Sequence, residues 1–347
     1  MLILGIETTC DETSAAVVQD GREVLSNVVS SQVDLHAKFG GVVPEVAARA
    51  HLESINAIIQ EALDVAGVRN PREEIGAIAV ANCPGLIGCL LVGTATAKGL
   101  AFGWGKPLVG VNHVQAHLYS VLLEERSEVG IQKSEALFPA VGLVMSGGHS
   151  SLYQVQAFDR LQRIGQTQDD AVGEAFDKVA AILQLGYPGG PLIDKLAMRG
   201  DPLAIKFPLS HLEKDSLNFS FSGLKTAVLY HVNGKKGRER DASSLSEQQK
   251  ADVAASFQHT AAQMLTVKLR RAAARFETRS LIIGGGVSAN TAIRKAVQEL
   301  GRELGLPVFI PPMRYCTDNG AMIAGIAYPL LQSGKVSELS LDTIATV

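Results

Sequence analysis

The sequence predicts an α/β protein in which one structural unit occurs twice, with a cleft between the copies. The first observation is a hairpin pattern at residues 2–18 and again at 140–155, in which two apolar runs flank a polar or glycine-rich turn. The second is a strand, a glycine turn and a helix at 75–99 and again at 281–300. Both patterns recur in the same order, which indicates a duplication, and their period is far too long for a solenoid.

The length of 347 residues predicts two domains. We place the first at 1–135, with an inserted helical segment, and the second at 136–347, with an insertion near 190–250. Apolar residues at helical spacing predict long helices at 44–66 and 253–276. The polar stretch at 233–250, which ends the insertion and precedes the helix at 253–276, predicts an exposed loop. It carries a basic cluster of Lys235, Lys236, Arg238 and Arg240.

Composition excludes several classes of protein. Hydrophobic residues make up 46% and charged residues 19%, which is typical of a globular chain. The net charge of −3 excludes a global basic field, so any nucleic-acid contact needs a local patch or a partner. The four cysteines are scattered without CxxC spacing, which argues against a disulfide framework and a thiolate zinc site. No signal peptide and no run of about 20 apolar residues is present, so we predict a cytoplasmic protein without a membrane segment.

A pair of histidines lies four residues apart inside an apolar stretch. In His113-Val-Gln-Ala-His117, a helix would place both imidazoles on one face, which is the spacing of a two-histidine metal clamp. Asp318, just before an apolar run at 321–327 that predicts a helix, is the candidate third ligand. Two other interpretations stay open, because the histidines could be polar-face residues and Asp318 could be a helix N-cap.

Glycine turns follow predicted strands at 147–148 and 284–286. Such turns expose backbone N–H groups that can hold a phosphate, although glycine is also the default residue of any tight turn. The sequence lacks GxxxxGK[ST], which excludes a P-loop enzyme, and lacks a GxGxxG that opens a βαβ unit. The two glycine turns occupy corresponding places in the two halves, which favours a nucleotide site over two unrelated turns.

Acidic residues cluster in two further places. Glu174, Asp177 and Lys178 share one face of a predicted helix, which a solvent-exposed Glu–Lys pair would also explain, and Asp194 follows a Pro-Gly-Gly-Pro turn. The second place is the turn of the first hairpin, where two adjacent carboxylates could face the cleft. These are Asp11 and Glu12.

Together these motifs resemble a known family. They lie, in chain order, at 5–13, 40–45, 112–117, 146–149, 169–178, 187–191, 219–225, 284–290 and 316–320. The chain resembles the bacterial tRNA N6-adenosine threonylcarbamoyltransferases, the TsaD branch of the Kae/Qri/YgjD family, once described as O-sialoglycoprotein endopeptidases. Each motif is weak alone, but the set covers the whole chain.

The resemblance implies a duplicated actin/Hsp70/sugar-kinase-like (ASKHA) fold with two lobes and a central cleft. It implies transfer of a threonylcarbamoyl group from threonylcarbamoyl-AMP to N6 of the adenosine beside the anticodon, in tRNAs that read ANN codons. The implied metal ligands are His113, His117 and Asp318, and Asp11 and Glu12 are candidate proton acceptors. The substrate-binding positions that it implies are Val144, Met145, Ser146, Gly147, Gly148, Asp177, Gly190, Asp194 and Asn290.

The resemblance also implies a cofactor and partners. The cofactor is one divalent metal ion, with Fe²⁺ as the first candidate and Zn²⁺ as the alternative, because both accept imidazole and carboxylate ligands. The partners are tRNA, threonylcarbamoyl-AMP, a TsaB-like paralogue of the same fold and a TsaE-like ATPase, without a membrane. For tRNA contact, we select Lys195, Arg199 and the basic cluster at 235–240.

Three alternatives remain for the function. A small-molecule kinase or ATPase of the same fold would hold Mg²⁺ through carboxylates and waters rather than imidazoles. A metalloprotease of the HExxH type would need a glutamate as its base, where this chain has Gln115. A non-catalytic scaffold is the third, but a degenerate copy should have lost the three metal ligands, which remain here.

Overall fold

The structure is a computed structural model that describes residues 1–125, 137–209, 215–234 and 241–346. The chain forms two compact units. Unit 1 consists of Met1–Glu135, Ala157–Arg160 and Pro311–Val347, and unit 2 consists of Ala136–Gln156 and Leu161–Ile310. The predicted domain boundary at 135/136 lies outside the described residues. The C-terminal segment, which the sequence analysis assigned to the second domain, packs in unit 1.

Unit 1 is built on a six-stranded mixed sheet in the order β5-β4-β1-β2-β3-β6. Strands β1 and β2 form the predicted antiparallel hairpin, and β4 and β5 add in parallel on the other side of β1. Its strands are β1 (Leu2–Glu7), β2 (Glu12–Gln19), β3 (Glu23–Ser31), β4 (Ile75–Cys83), β5 (Leu108–Asn112) and β6 (Glu124–Glu125).

Unit 2 repeats this arrangement in a five-stranded sheet, β11-β10-β7-β8-β9. Strands β7 and β8 again form an antiparallel hairpin, and β10 and β11 again add in parallel. Five strands of the two sheets therefore correspond in order, and β6 has no counterpart in the described part of unit 2, which confirms the duplicated α/β unit. Its strands are β7 (Ala140–Met145), β8 (Ser150–Ala157), β9 (Arg160–Gln166), β10 (Ser280–Gly284) and β11 (Val308–Phe309).

The helices of unit 1 pack on its sheet through their apolar faces. The predicted helix at 44–66 is α2, which buries Ile55 and Ile59 and ends at Gly67, whose positive φ of 75° suits glycine. The unit 1 helices are α1 (Val33–Ala37), α2 (Pro44–Ala66), α3 (Pro71–Glu74), α4 (Ile87–Trp104), α5 (His113–Tyr119) and, near the C-terminus, α11 (Gly320–Gln332).

The core of unit 2 is organised around its longest helix, which buries fifteen residues, among them Phe257 against Phe176. The helices are α6 (Val172–Ile182), α7 (Gly189–Ala197), α8 (Ser222–Asn233), α9 (Glu247–Arg275) and α10 (Thr291–Leu304). Part of the loop predicted at 233–250 is wrong, because α9 begins at Glu247 with a capping box of Ser246 and Gln249. The basic cluster at 235–240 lies outside the described residues.

One helix of the described chain, α4, is long and apolar enough to cross a membrane by length and composition, with a mean hydropathy of 1.3 over 18 residues. The prediction of no membrane segment depended on the absence of a run of about 20 apolar residues, which is a stricter test than mean hydropathy. The core helix of a soluble protein meets the same criterion. Helix α4 packs on β4 and α2 and buries Cys89, Leu90 and Ala97 completely.

Candidate metal centre and nucleotide-binding residues

The two histidines of the predicted clamp open a short helix at the end of a buried strand. Strand β5 ends at Asn112, whose side chain accepts a hydrogen bond from the Gln115 N–H at 3.0 Å and so caps α5. The i, i+4 spacing brings the rings of His113 and His117 to a centroid separation of 4.7 Å. Both are buried, at 4% and 0% exposure. The predicted helix and shared face are confirmed.

Asp318 joins the histidines from the far end of the chain. Its Oδ1 lies 3.2 Å from His117 Nε2 and 3.6 Å from His113 Nε2. The N-cap of α11 is the neighbouring Asn319, whose side chain accepts from the Met322 N–H at 3.0 Å. The interpretation of Asp318 as an N-cap is therefore wrong, and its carboxylate instead faces the imidazoles.

These three side chains fit a divalent metal ion. Their ligand atoms all lie within 4.8 Å of one another, and ligands that share one ion at about 2.0–2.2 Å lie roughly 3–4 Å apart. Neither ring nitrogen of His117 has a hydrogen-bond partner among the described residues, although the ring is fully buried. A metal bond would satisfy such a nitrogen. Two imidazoles and one carboxylate suit Fe²⁺ or Zn²⁺ better than Mg²⁺.

The structure adds one residue that the sequence analysis missed. Glu7, at the end of β1, is completely buried, and its Oε2 lies 2.8 Å from His113 Nδ1. Burial opposes protonation of His113, but the carboxylates of Glu7 and Asp318 outweigh it and raise the pKa of the imidazole to about 9 in the metal-free chain. The only signal in the sequence is an acidic residue that closes the apolar run Leu2–Glu7.

The acidic pair Asp11 and Glu12 lies within electrostatic reach of this centre. Burial raises the pKa of Glu12, and the carboxylates of Asp318 and Asp11 raise it further. Burial, followed by the charges of Asp11 and Asp318, also raises the pKa of the Cys10 thiol far above neutral pH. In the metal-free chain Cys10 is therefore a thiol rather than a thiolate.

The two glycine turns of unit 2 leave neighbouring parallel strands at the same edge of the sheet. Strands β7 and β10 are paired with Val144 opposite Gly284. The turn at 146–148 follows β7, and Gly285 follows β10 with a φ of 88°. A Cβ on Gly285 would lie 2.3 Å from the Met145 carbonyl oxygen, so only glycine fits. Both turns therefore lie in unit 2 and not at corresponding places in two halves, so that part of the sequence prediction is wrong, but the sheet brings them to one edge.

The other predicted substrate-binding residues make contacts inside unit 2. The Asp177 carboxylate accepts from the Gly189 N–H at 2.7 Å, next to Gly190. Asp194 accepts from the Thr291 hydroxyl at 2.8 Å. The Asn290 side chain caps α10 and donates to the Gln258 side chain at 2.8 Å. These contacts hold the residues in place, and their contact with a nucleotide stays a prediction.

The predicted acidic face of α6 is held by lysines. Lys178 lies 2.7 Å from both Asp170 and Glu174, and Lys225 lies 3.0 Å from Asp170. Glu174 therefore has the Glu–Lys pairing that an exposed helix face predicts. Asp170 joins α6 to α8 and so gives this part of the 169–178 motif a structural role.

Fold and site together define a duplicated α/β protein of the actin/Hsp70/sugar-kinase class with a cluster of two imidazoles and one carboxylate that fits a divalent metal ion. Solved structures support the fold. HypF from T. kodakarensis aligns with a TM-score of 0.60 at 16% identity, over 96% of this chain and 48% of that one. The (R)-2-hydroxyglutaryl-CoA dehydratase component A from Acidaminococcus fermentans aligns with a TM-score of 0.53 at 15% identity, over 95% and 98%.

Sequence comparison identifies the family. The family model for TsaD, tRNA N6-adenosine threonylcarbamoyltransferase, matches residues 23–325. Proteins of that name are 48% identical in Clostridium perfringens, over 98% of this chain and 96% of the relative, and 49% identical in Geobacter sp. strain M21, over 99% and 95%. The chain therefore belongs to the tRNA N6-adenosine threonylcarbamoyltransferase family, whose name denotes an acyltransferase. This membership does not favour the kinase and protease alternatives.

Proposed function

We propose that this chain transfers the threonylcarbamoyl group of threonylcarbamoyl-AMP to N6 of the adenosine beside the anticodon, in tRNAs that read ANN codons. The family match over nearly the whole chain supports this acyl transfer. The observation that carries it is the buried cluster of His113, His117 and Asp318, in which the three ligand atoms converge. A copy of the fold that had lost its activity would have no reason to keep the buried ring nitrogens of His117 without a hydrogen-bond partner among the described residues.

The same three side chains would hold one divalent ion, with Fe²⁺ as the first candidate and Zn²⁺ as the alternative. Bound there, the ion supplies positive charge that polarises the mixed anhydride and offsets the charge of the leaving phosphate. The protein contributes a dry and rigid set of ligands, since His113 and His117 are 4% and 0% exposed. Rigid, water-excluded charge is worth more to a transition state than the same charge in water.

In the transfer itself, the N6 nitrogen bonds to the carbamoyl carbon, the bond from that carbon to the phosphate oxygen of AMP breaks, and N6 loses one proton. Asp11 and Glu12 are the candidate acceptors of that proton. Their position supports this role, because the charges of Asp318 and Asp11 both act on Glu12. Since AMP is a good leaving group, most of the acceleration comes from positioning of the two substrates.

Unit 2 binds the adenylate in this proposal. The backbone N–H groups of the turn at 146–148 and of Gly285 offer donors to phosphate oxygens, supported by their position at one edge of the sheet. Val144 and Met145 precede the first turn. Gly147, Gly148 and Gly190 have open space where a Cβ would lie, so a ligand can approach their backbone closely. The side chains of Asp177, Asp194 and Asn290 are the candidates for ribose hydroxyls and base.

The chain works with other proteins in the same proposal. A TsaB-like paralogue and a TsaE-like ATPase are its partners, and the reaction takes place in the cytoplasm, where tRNA is available. Two points support the idea that this chain binds tRNA together with its partners. The family name specifies tRNA, and the net charge of −3 provides little attraction to a polyanion.

Reconstitution tests the proposal. The purified chain, loaded with Fe²⁺ or Zn²⁺, is incubated with threonylcarbamoyl-AMP, its partners and tRNA, and both AMP and the modified nucleoside are measured. We expect equal amounts of the two, and neither from His117→Ala. AMP release at the same rate without tRNA would contradict the transferase. ATP-dependent phosphorylation of a small molecule would favour the kinase, and cleavage of a glycoprotein would favour the protease.

A further inference from the structure

A carboxylate with no exposed surface lies beside the metal centre but outside its ligand set. Glu7 is 0% exposed, and both of its oxygens have a partner. Oε1 accepts from the Thr9 backbone N–H at 2.6 Å, and Oε2 lies 2.8 Å from His113 Nδ1. A buried charge costs several kcal/mol unless it is well paired. The pairing with His113, 106 positions away in the chain, therefore offsets the cost of burying the Glu7 carboxylate.

This contact decides which nitrogen of His113 carries a proton. A carboxylate only accepts hydrogen bonds, so the nitrogen that faces Glu7 must be Nδ1–H. The Thr9 hydroxyl lies 3.2 Å from the same nitrogen, and the shorter contact to a charged acceptor is the stronger one. In the neutral ring the other nitrogen, Nε2, then keeps its lone pair, 3.6 Å from Asp318 Oδ1.

The second histidine lacks this support. His117 is equally buried, but neither of its nitrogens has a hydrogen-bond partner among the residues that the structure describes. Its Nε2 also faces Asp318, at 3.2 Å. The two imidazoles therefore present the same nitrogen to the carboxylate, but a hydrogen bond sets the tautomer of His113 alone.

We propose that Glu7 is a positioning residue that holds His113 as the Nδ1–H tautomer, directs Nε2 at the ion and so raises the affinity of the centre for a divalent cation. The inference rests on the metal centre of the proposed function. Its physical basis is that a hydrogen bond from the non-ligating nitrogen to a carboxylate orients the ring and makes the ligating nitrogen more basic.

The first test is the affinity for Zn²⁺ of the Glu7→Gln variant, by competition with a chromogenic chelator. If the amide oxygen keeps the bond from Thr9, the NH₂ group faces His113 Nδ1 and donates to it, which favours the wrong tautomer. We expect a loss of about 10- to 100-fold in affinity. The matched control is Thr13→Val, which removes a buried hydroxyl 2.8 Å from His51 Nδ1 elsewhere in unit 1 and should leave Zn²⁺ affinity unchanged.

The second test reads the tautomer directly and needs no variant. Long-range ¹H–¹⁵N spectra of histidine-labelled wild-type protein, loaded with Zn²⁺, show which nitrogen of His113 keeps its proton. A protonated Nδ1 and a metal-bound Nε2 are expected. Zn²⁺ on Nδ1 in the wild-type protein would overturn the proposal, even if Glu7→Gln does not fold.

The outcomes separate this inference from the function on which it rests. Failure of the wild-type chain to bind Zn²⁺ would remove the metal centre and with it the proposed function. Tight binding by the wild-type chain and equal binding by Glu7→Gln would overturn the role of Glu7 alone. A loss of affinity in both Glu7→Gln and Thr13→Val would also overturn it, since any buried polar change in unit 1 would then have the same effect.

Discussion

His117 is costly to bury in the absence of a ligand. The residue is fully buried, and neither ring nitrogen has a hydrogen-bond partner among the described residues, although Nε2 lies 3.2 Å from Asp318 Oδ1. A buried polar atom without a hydrogen-bond partner costs about 1–3 kcal/mol. A bound ion removes that cost and stabilises the folded chain by mass action. At the residue scale, then, the side chain proposed to bind the metal lowers the stability of the metal-free protein.

The first prediction follows for the ligands. His117→Ala, like His113→Ala, should lose the bound ion and transferase activity while its circular dichroism spectrum stays that of the wild-type protein. Metal analysis of the purified variants provides the measurement. His259→Ala, on α9, is the control and should keep the ion, because His259 lies in a partly exposed position and bonds to Gln263. Full metal occupancy in a variant that lacks both His113 and His117 would contradict the prediction.

A second buried histidine is used structurally. His51, on α2, is 0% exposed; its Nδ1 lies 2.8 Å from Thr13 Oγ1, and its Nε2 lies 3.0 Å from the Cys10 carbonyl oxygen. It therefore ties helix α2 to the turn of the first hairpin, which carries the acidic pair. The bond from Nε2 to a carbonyl oxygen requires a proton on Nε2, and the contact with the Thr13 hydroxyl is satisfied by the neutral ring.

The second prediction concerns the pH dependence of this link. Burial lowers the pKa of His51 below its usual 6.5; the carbonyl of Cys10 and the charges of Glu7 and Asp11 oppose this shift, and His36 adds to it. Below pH 6.5 the His51 side chain binds a proton in the unfolded state but not in the folded state. Its contribution to the free energy of unfolding is therefore fully present above pH 6.5 and is lost as the pH falls below that value. Urea unfolding between pH 7.5 and 5 measures it. His51→Gln should show the weaker pH dependence, and an equal slope in both proteins would refute the assignment.

At the scale of elements, the position of Asp318 depends on the contact between α11 and β1. A Cβ on Gly5 would lie 2.3 Å from the Gly320 carbonyl oxygen and 2.5 Å from the Ala324 nitrogen, both in the backbone of α11. The Gly320 N–H also donates to the Ser14 hydroxyl at 2.8 Å. Helix and strand therefore touch backbone to backbone, which sets the place of the carboxylate just before the helix.

The third prediction tests this contact with two Gly→Ala changes. Gly5→Ala should lower the free energy of unfolding by about 1–3 kcal/mol, because α11 must move away, and should weaken Zn²⁺ binding by displacing Asp318. Gly99→Ala, in α4, is the control: no atom lies within 4 Å of its added Cβ, so helix propensity should raise stability by up to about 1 kcal/mol. Denaturant unfolding decides, and equal stability of the two variants would contradict the packing argument.

The turns of unit 2 support a fourth prediction. Asp177→Ala and Asn290→Ala should weaken binding of AMP more than binding of tRNA, as calorimetry would measure. Asn290 also caps α10, and loss of a cap costs about 1 kcal/mol. Ser246→Ala, which removes the cap of α9, controls for that effect and should leave AMP affinity unchanged. Unchanged AMP affinity in both test variants would move the nucleotide site elsewhere.

At the scale of the whole molecule, charge governs the encounter with tRNA. The net charge of −3 gives no long-range attraction to a polyanion. Phosphate contacts must then come from local cations. Lys195 and Arg199, on and just after α7, are exposed and meet this requirement.

The fifth prediction is that tRNA binding falls as salt rises, and that Lys195→Gln with Arg199→Gln lowers the salt slope by about 1 for each lost phosphate contact. The KM for tRNA should rise and kcat should change little. The measurement uses the complete assembly with its partners at several salt concentrations. An unchanged slope would place the tRNA contacts on other residues or on a partner, and neutralising the cluster at 235–240 is the companion variant.

Local patterns in the sequence were sufficient for much of this architecture. Alternating and helical spacing of apolar residues placed the hairpins at 2–18 and 140–155, helix α2 and the helix that puts His113 and His117 on one face. These features depend on neighbours a few positions apart, so their periodicity is visible in the chain itself. The exposed loop at 233–250 was partly misjudged because a polar helix start and a polar loop share the same composition.

Tertiary structure decided what lies far apart in sequence. The bond from Glu7 to His113 spans 106 positions, and Asp318 reaches both histidines only because α11 packs on β1 and β2 in unit 1. The choice of Asn319 rather than Asp318 as the N-cap also depends on how α11 meets the strands. Contacts of this kind leave no period in a single sequence, since they are set by the packing of whole elements whose partners are unknown until the chain is folded.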